Sequence, residues 1–258
     1  MTELEFHFHT GVEFSTPVSG HTFALHCLPV EDDAQKLQSY TIRIEPAAEY
    51  GLHRDGFGGW LVCGSCREPH TVFCYDSHGI VRVDGRAQAE PVNPVLKQFT
   101  PLTAMTPELE TLWQSLPLDG KPPQEQAALL NKAAAGALHY VTGLTGISTT
   151  AGQAFALGSG VCQDYAHILL ALARRSGFAA RYCMGLVPGE GATHAWVELA
   201  LPDGWHGYDP TFACEAGEEH LRFAVGRDAA DCRAERGIFR GAAEQTLHTE
   251  MRLDVRKG

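Results

Sequence analysis

The sequence predicts an α+β protein in two parts, and three observations carry that expectation. Through the first ninety residues, apolar and polar side chains alternate with a period of two, the spacing of half-buried strands. A proline-rich stretch without periodicity follows. Beyond it, apolar residues recur at helical spacing, and strand-like runs come only after the helices.

Leu4, Phe6 and Phe8 alternate with Glu5, His7 and His9, and Thr41-Ile42-Arg43-Ile44-Glu45 repeats the pattern up to Pro46. His21–Leu28, Val72–Tyr75 and Ile80–Val83 are further β-rich runs, separated by Gly, Asp and Ser turn signals. Strands at this spacing predict a small antiparallel, β-sandwich-like domain over residues 1–90. The texture changes near Gly85, and Pro91, Pro94 and Pro101 mark 91–106 as a linker or crossover. Residues 107–258 are expected to form the second domain. One helix is predicted after Pro122-Pro123, with Ala127, Leu130, Ala134, Leu138 and Val141 on one face and Gly143 at its end. Another starts at Cys162, buries Tyr165, Ala166, Leu169, Leu172 and Ala173, and stops at Arg174-Arg175-Ser176-Gly177. Three strands follow over Ala180–Leu186, His194–Leu201 and Trp205–Asp209, and a last one over Thr246–Val255.

The bulk numbers restrict function. With 258 residues, 44% of them hydrophobic and 20% charged, the chain can bury sizeable cores. A formal charge of −11, from 31 acidic against 20 basic residues, argues against nucleic acid and anionic lipid as partners. The start, MTELEFHFHT, is not a signal peptide, and no stretch is apolar enough for a spanning helix, so a cytoplasmic location is the expectation. The eight cysteines have no regular spacing and read as mostly reduced thiols.

Cys162 follows the flexible Gly158-Ser159-Gly160 and opens a helix, where free N–H groups favour a thiolate and can hold an oxyanion. Alone, a cysteine on an apolar helical face reads as a small core residue. His194 changes that reading. If Pro202-Asp203 is the hairpin loop, Leu201 faces Gly204 and His194 lies opposite Thr211. Asp209 is then a diagonal neighbour of His194 on the same face, about 7–8 Å away by backbone spacing. A carboxylate there can reach the imidazole and fix its tautomer. A nucleophile at a helix start, with base and orienter on adjacent strands, is what thiol acyl chemistry requires.

Three ordered stretches then resemble a known family. GVCQDYAHILLALARRSGFAARYCMG, THAWVEL and GWHGYDPT are similar to the core of the transglutaminase-like superfamily. FAVGRDAADCRAERGIFRGAAEQTL, with the β-rich start, resembles its bacterial branch. The likeness spans about residues 125–256, and the first ninety by pattern and the RDGFG…EPHT stretch. It implies a papain-like core of helices packed on an antiparallel sheet. It also implies Cys162 as nucleophile, His194 as general base then acid, and Asp209 as the orienter of His194. Ala179 stands where the family often has proline, and Phe212-Ala213-Cys214 follow Asp209-Pro210-Thr211 where an asparagine is common. The expected activity is hydrolysis of amide or peptide bonds through a thioester. Acyl transfer to amines and a catalytically silent binding or assembly module are the alternatives.

Other candidates read more plainly. Asp164 suits the helix dipole, Gln163 a solvated helix position, and Arg227 and Asp228 a structural ion pair. Cys63-Gly64-Ser65-Cys66 is a single C-x-x-C, with His53 and His70 near in sequence, and reads as ordinary strand thiols. No metal or cofactor is expected. The expected partner is a peptide or amide substrate, with the N-terminal domain as a possible protein contact. Asp209→Asn is expected to cost less activity than Cys162→Ala, since an asparagine can still hold the imidazole through its carbonyl oxygen.

Overall fold

The computed structural model describes residues 1–85 and 91–256, so residues 86–90 and 257–258 of the expected domains lie outside the described residues, and the expected crossover at 91–106 lies within them. The N-terminal part contains β1 (Thr2–Leu25), β2 (Gln35–Glu45), β3 (Glu49–Arg54), β4 (Trp60–Cys66) and β5 (His70–Val83). Helices α1 (Pro107–Gln114) and α2 (Pro123–Ala135) come next, then β6 (His139–Tyr140), α3 (Ala151–Leu157), β7 (Ser159–Gly160) and α4 (Cys162–Arg175). Strands β8 (Ala180–Leu186), β9 (Gly189–Gly191), β10 (His194–Leu201), β11 (Gly204–Asp209), β12 (Cys214–Ala216), β13 (Leu221–Gly226), β14 (Glu235–Arg240) and β15 (Gln245–Arg256) complete the chain.

The alternation in the first residues continues into one long strand instead of two. β1 slips its register against β5 between Glu13 and Val18. Its first half pairs with β5 and β15, its second with β4 and β14. A strand bent at such an irregularity can serve two sheet layers, which gives the sandwich-like form. Phe6, Phe8, Phe14, Phe23, Phe73 and Tyr75 fill the interior.

The second part holds a five-stranded antiparallel sheet in the order β12-β11-β10-β8-β13, with α4 packed on β10 and β8. α4 is buried on nearly every side, because α2 and α3 cover the face turned away from the sheet. Its C-terminus is as expected, with Gly177 at φ +86°. α2 is shorter than expected and ends at Ala135, where Gly136 caps it. The chain then leaves the helix to pair with the segment before α4, His139 N–H donating to Gly158 and Val141 N–H to Gly160. Leu138 stays buried, whereas Val141 is exposed.

The expected boundary at 107–258 differs from the structure at its far end. β15 pairs with β1 from Glu3↔Arg256 to Phe14↔Gln245, and Met251 and Leu253 face the N-terminal core. Alternation identified the strand but carries no information about which sheet receives it. The two parts are also welded together. Arg222 of β13 meets Asp32 at 2.8 Å, and its backbone N–H donates to the buried Gln35 at 2.8 Å. Phe223 of β13 stacks against Phe8 at 5.1 Å. Arg174 of α4 ties the crossover to the core, donating to Leu96 O, Thr103 Oγ1 and Ala180 O. Among the described residues, no helix is long and apolar enough to cross a membrane.

Candidate active site

Cys162 is the first residue of α4 and is half-buried, so its thiol is not enclosed in the core. Asp164, fully buried, builds the turn that presents it. Its Oδ2 accepts from the Val161 N–H at 2.8 Å and from Thr145 Oγ1 at 2.6 Å, closing the helix start and pinning the preceding loop. Gly160 is required there, since a Cβ would stand 2.6 Å from Asp164 Oδ2. Gln163 is a loop anchor instead of a solvated residue, donating through Nε2 to Gly146 O at 3.2 Å.

His194 and Asp209 meet through the hairpin read from the sequence. Leu201↔Gly204 and Val197↔Tyr208 are paired, the register that puts Asp209 diagonal to His194. His194 Nε2 lies 2.7 Å from Asp209 Oδ2. The other ring nitrogen is left for Cys162, which lines the same cavity and whose sulfur helps hold the proton on the imidazole. Burial opposes charge on this imidazole, yet Asp209 and Cys162 outweigh it and raise its pKa to about 9. Phe212 stacks on the ring at 5.0 Å and Trp196 at 6.2 Å, which fixes its plane.

Asp209 is fully buried and every acceptor position is used. Oδ1 takes the N–H groups of Thr211 and Phe212, at 2.9 and 3.2 Å. Oδ2 takes His194 and a second histidine, His220, at 3.2 Å. Burial would raise this carboxyl, but the two histidines hold it well below the usual carboxylate range. Sequence reasoning missed His220, which sits in Glu218-Glu219-His220 with no spacing that ties it to Asp209.

Asp209, Cys214 and His220 bring one ligand atom each to within 4.8 Å of one another, the one group with metal-like spacing among the described residues. The hydrogen bonding favours a different role. Gly217 N–H donates to His220 Nδ1, so the proton of the neutral ring sits on Nε2 and is given to Asp209. Cys63 and Cys66 lie on β4, and Cys66 Sγ donates to Pro46 O. Arg227 pairs with Asp231 at 2.8 Å, and Asp228 accepts from the Ala230 N–H, so both shape the loop after β13. Burial raises the pKa of the other seven thiols, Cys27 to about 12. Cys162 and His194 open onto a cavity of about 280 Å³, with Tyr140, Pro188 and Phe212 on its walls.

Comparisons with known proteins place this geometry in context. Residues 112–210 match the model of the Transglutaminase-like superfamily, and residues 4–82 that of the Bacterial transglutaminase-like N-terminal region. The chain is 26% identical to Uncharacterized protein ML0607 of Mycobacterium leprae, over 92% of this chain and 93% of that protein. It is 28% identical to Uncharacterized protein Rv2569c of Mycobacterium tuberculosis, over 86% and 82% of the two. The fold is similar to the crystal structure of a "putative cysteine protease" from Cytophaga hutchinsonii, at TM-score 0.81 and 19% identity. That likeness covers 100% of this chain and 91% of the other.

Proposed function

Since the chain carries a transglutaminase-like superfamily core behind a bacterial transglutaminase-like N-terminal region, we propose that it is a cysteine-nucleophile hydrolase of amide or peptide bonds. The observation that carries this reading is the assembled set of Cys162 at the head of α4, His194 against its thiol and Asp209 on the far side of the ring.

The reaction follows from that order. The Cys162 sulfur attacks the carbonyl carbon, and the oxyanion forms beside the α4 N-terminus, where the first N–H groups have no intrahelical acceptor. The carbon–nitrogen bond breaks as imidazolium His194 gives its proton to the leaving amine, which leaves a thioester on Cys162. His194 then takes a proton from water, the hydroxide adds to the thioester, and the acid departs as the thiol is restored. Asp209 stays ionised throughout and stabilises the imidazolium.

Two measurements test the reading. Cys162 should be the fastest of the eight thiols to react with iodoacetamide, as peptide mapping reads directly. Slower labelling than at Cys63 or Cys214 would instead point to a silent module. An amide acyl donor offered with excess primary amine should give mostly free acid by mass spectrometry. Dominant amine adduct would make the protein an acyl transferase and leave the three residues in their roles.

A further inference from the structure

A second cavity, of about 360 Å³, lies where the N-terminal sheet meets the catalytic core. Gln163 and Thr193 line it, the neighbours in sequence of the nucleophile and the base. It shares Ala192, Thr193 and Met251 with the depression that holds Cys162 and His194, so the two are contiguous. Its walls are mostly apolar. Polar residues of the N-terminal sheet also line it, among them Thr10, Tyr75 and Glu235. Thr10 Oγ1, Tyr75 Oη and Glu235 Oε2 are all buried without a hydrogen-bond partner. Buried polar atoms are normally satisfied, so three orphans around one cavity mark a place for an incoming donor.

We propose that this cavity is a substrate subsite for an ammonium-bearing side chain, a lysine-type group whose methylene stem lies along the apolar walls. The inference rests on the thiol chemistry proposed for Cys162. An ammonium has three N–H donors and no acceptor, so it can donate to the buried carboxylate and hydroxyl oxygens along this wall. Burial alone raises the Glu235 pKa to about 7, with no cation of the chain offsetting it. Arg233 also lines the cavity, but it is exposed. A cation entering here supplies the missing counter-charge, whereas an acidic side chain meets Glu235 and an apolar one leaves all three atoms unpaired. The net charge of −11 steers cationic substrates toward the protein.

The test measures alkylation of Cys162 by peptidyl chloromethyl ketones that differ only in one side chain: lysine, norleucine or glutamate. The sulfur displaces chloride, so no turnover is needed. The lysine reagent should react about tenfold faster than norleucine, and faster still than glutamate. Glu235→Gln should bring the lysine-to-norleucine ratio to within about threefold, while the rate with iodoacetamide is unchanged. Equal rates in the unvaried protein, or a ratio untouched by Glu235→Gln, overturn the subsite. If neither the ketones nor iodoacetamide reach Cys162, the thiol reading has failed instead. The subsite is then decided on Cys162→Ala protein by methyl NMR of Met184 and Met251. Shifts with Nα-acetyl-lysine-N-methylamide and none with its norleucine counterpart support it, and equal responses overturn it.

Discussion

At the scale of single residues, Asp209 sets the terms, because four donors converge on one buried carboxylate. From the sequence, Asp209→Asn is expected to cost less activity than Cys162→Ala. The structure reverses that expectation, since an amide has one oxygen and would turn its NH₂ toward either the two histidines or the two backbone N–H groups. Asp209→Asn should lose activity on a par with Cys162→Ala. It should also destabilise the fold by about 1–3 kcal/mol, as urea melts would show, because buried donors are left unpaired. The same carboxylate sets a pH dependence. Its lowered pKa means stability present above about pH 4 and lost as pH falls through the folded value. His194 is raised, so its contribution is complete below about pH 6.5 and lost as pH climbs toward 9. Cys162→Ala isolates this from the thiol's own titration. Between pH 6 and 9.5 it should lose about 1–2 kcal/mol more than Cys162→Ala/His194→Ala. Cys162, His194 and Asp209 were legible in the sequence because local rules place them: a helix start and a hairpin register. His220 was not, since it reaches Asp209 only through the path of the chain between β12 and β13.

Among the elements, α4 and its flanks decide whether the thiol is presented. The helix was legible from its apolar spacing and its Arg174-Arg175-Ser176-Gly177 end. The role of Asp164 was not, because its partner Thr145 lies nineteen residues away in a loop without pattern. Asp164→Ala should cost about 1–2 kcal/mol, the size of a lost helix cap. It should also slow iodoacetamide labelling of Cys162 while leaving labelling of Cys214 unchanged. A normal Cys162 rate would mean that the loop is held by Gln163 alone. The end of α2 was misread for a related reason. Leu138 keeps the helical apolar spacing, but its segment is claimed by the short ladder beside Gly158 and Gly160, a tertiary preference that overrides local periodicity.

For the molecule as a whole, the fold class was readable and the division of the chain was not. Strand alternation looks the same whether the partner is near or more than two hundred residues away, and β1 pairs with β15 from Glu3↔Arg256 onward. A fragment of residues 1–90 therefore lacks two of the strands that flank β1. It should show no cooperative melt by circular dichroism, whereas co-expression with residues 229–256 should restore one. A cooperative melt from the fragment alone would make β14 and β15 accessories. The placement of β15 also bears on how the protein is made. β15 pairs with β9, Met251 opposite Gly191, and His194 stands three residues beyond. On the ribosome, Cys162, His194 and Asp209 all emerge before β15, the strand that braces the loop ahead of His194 and runs along β1. The nascent chain thus carries all three residues of the proposed site before the loop beside them is braced, and the reactivity proposed for Cys162 waits on β15.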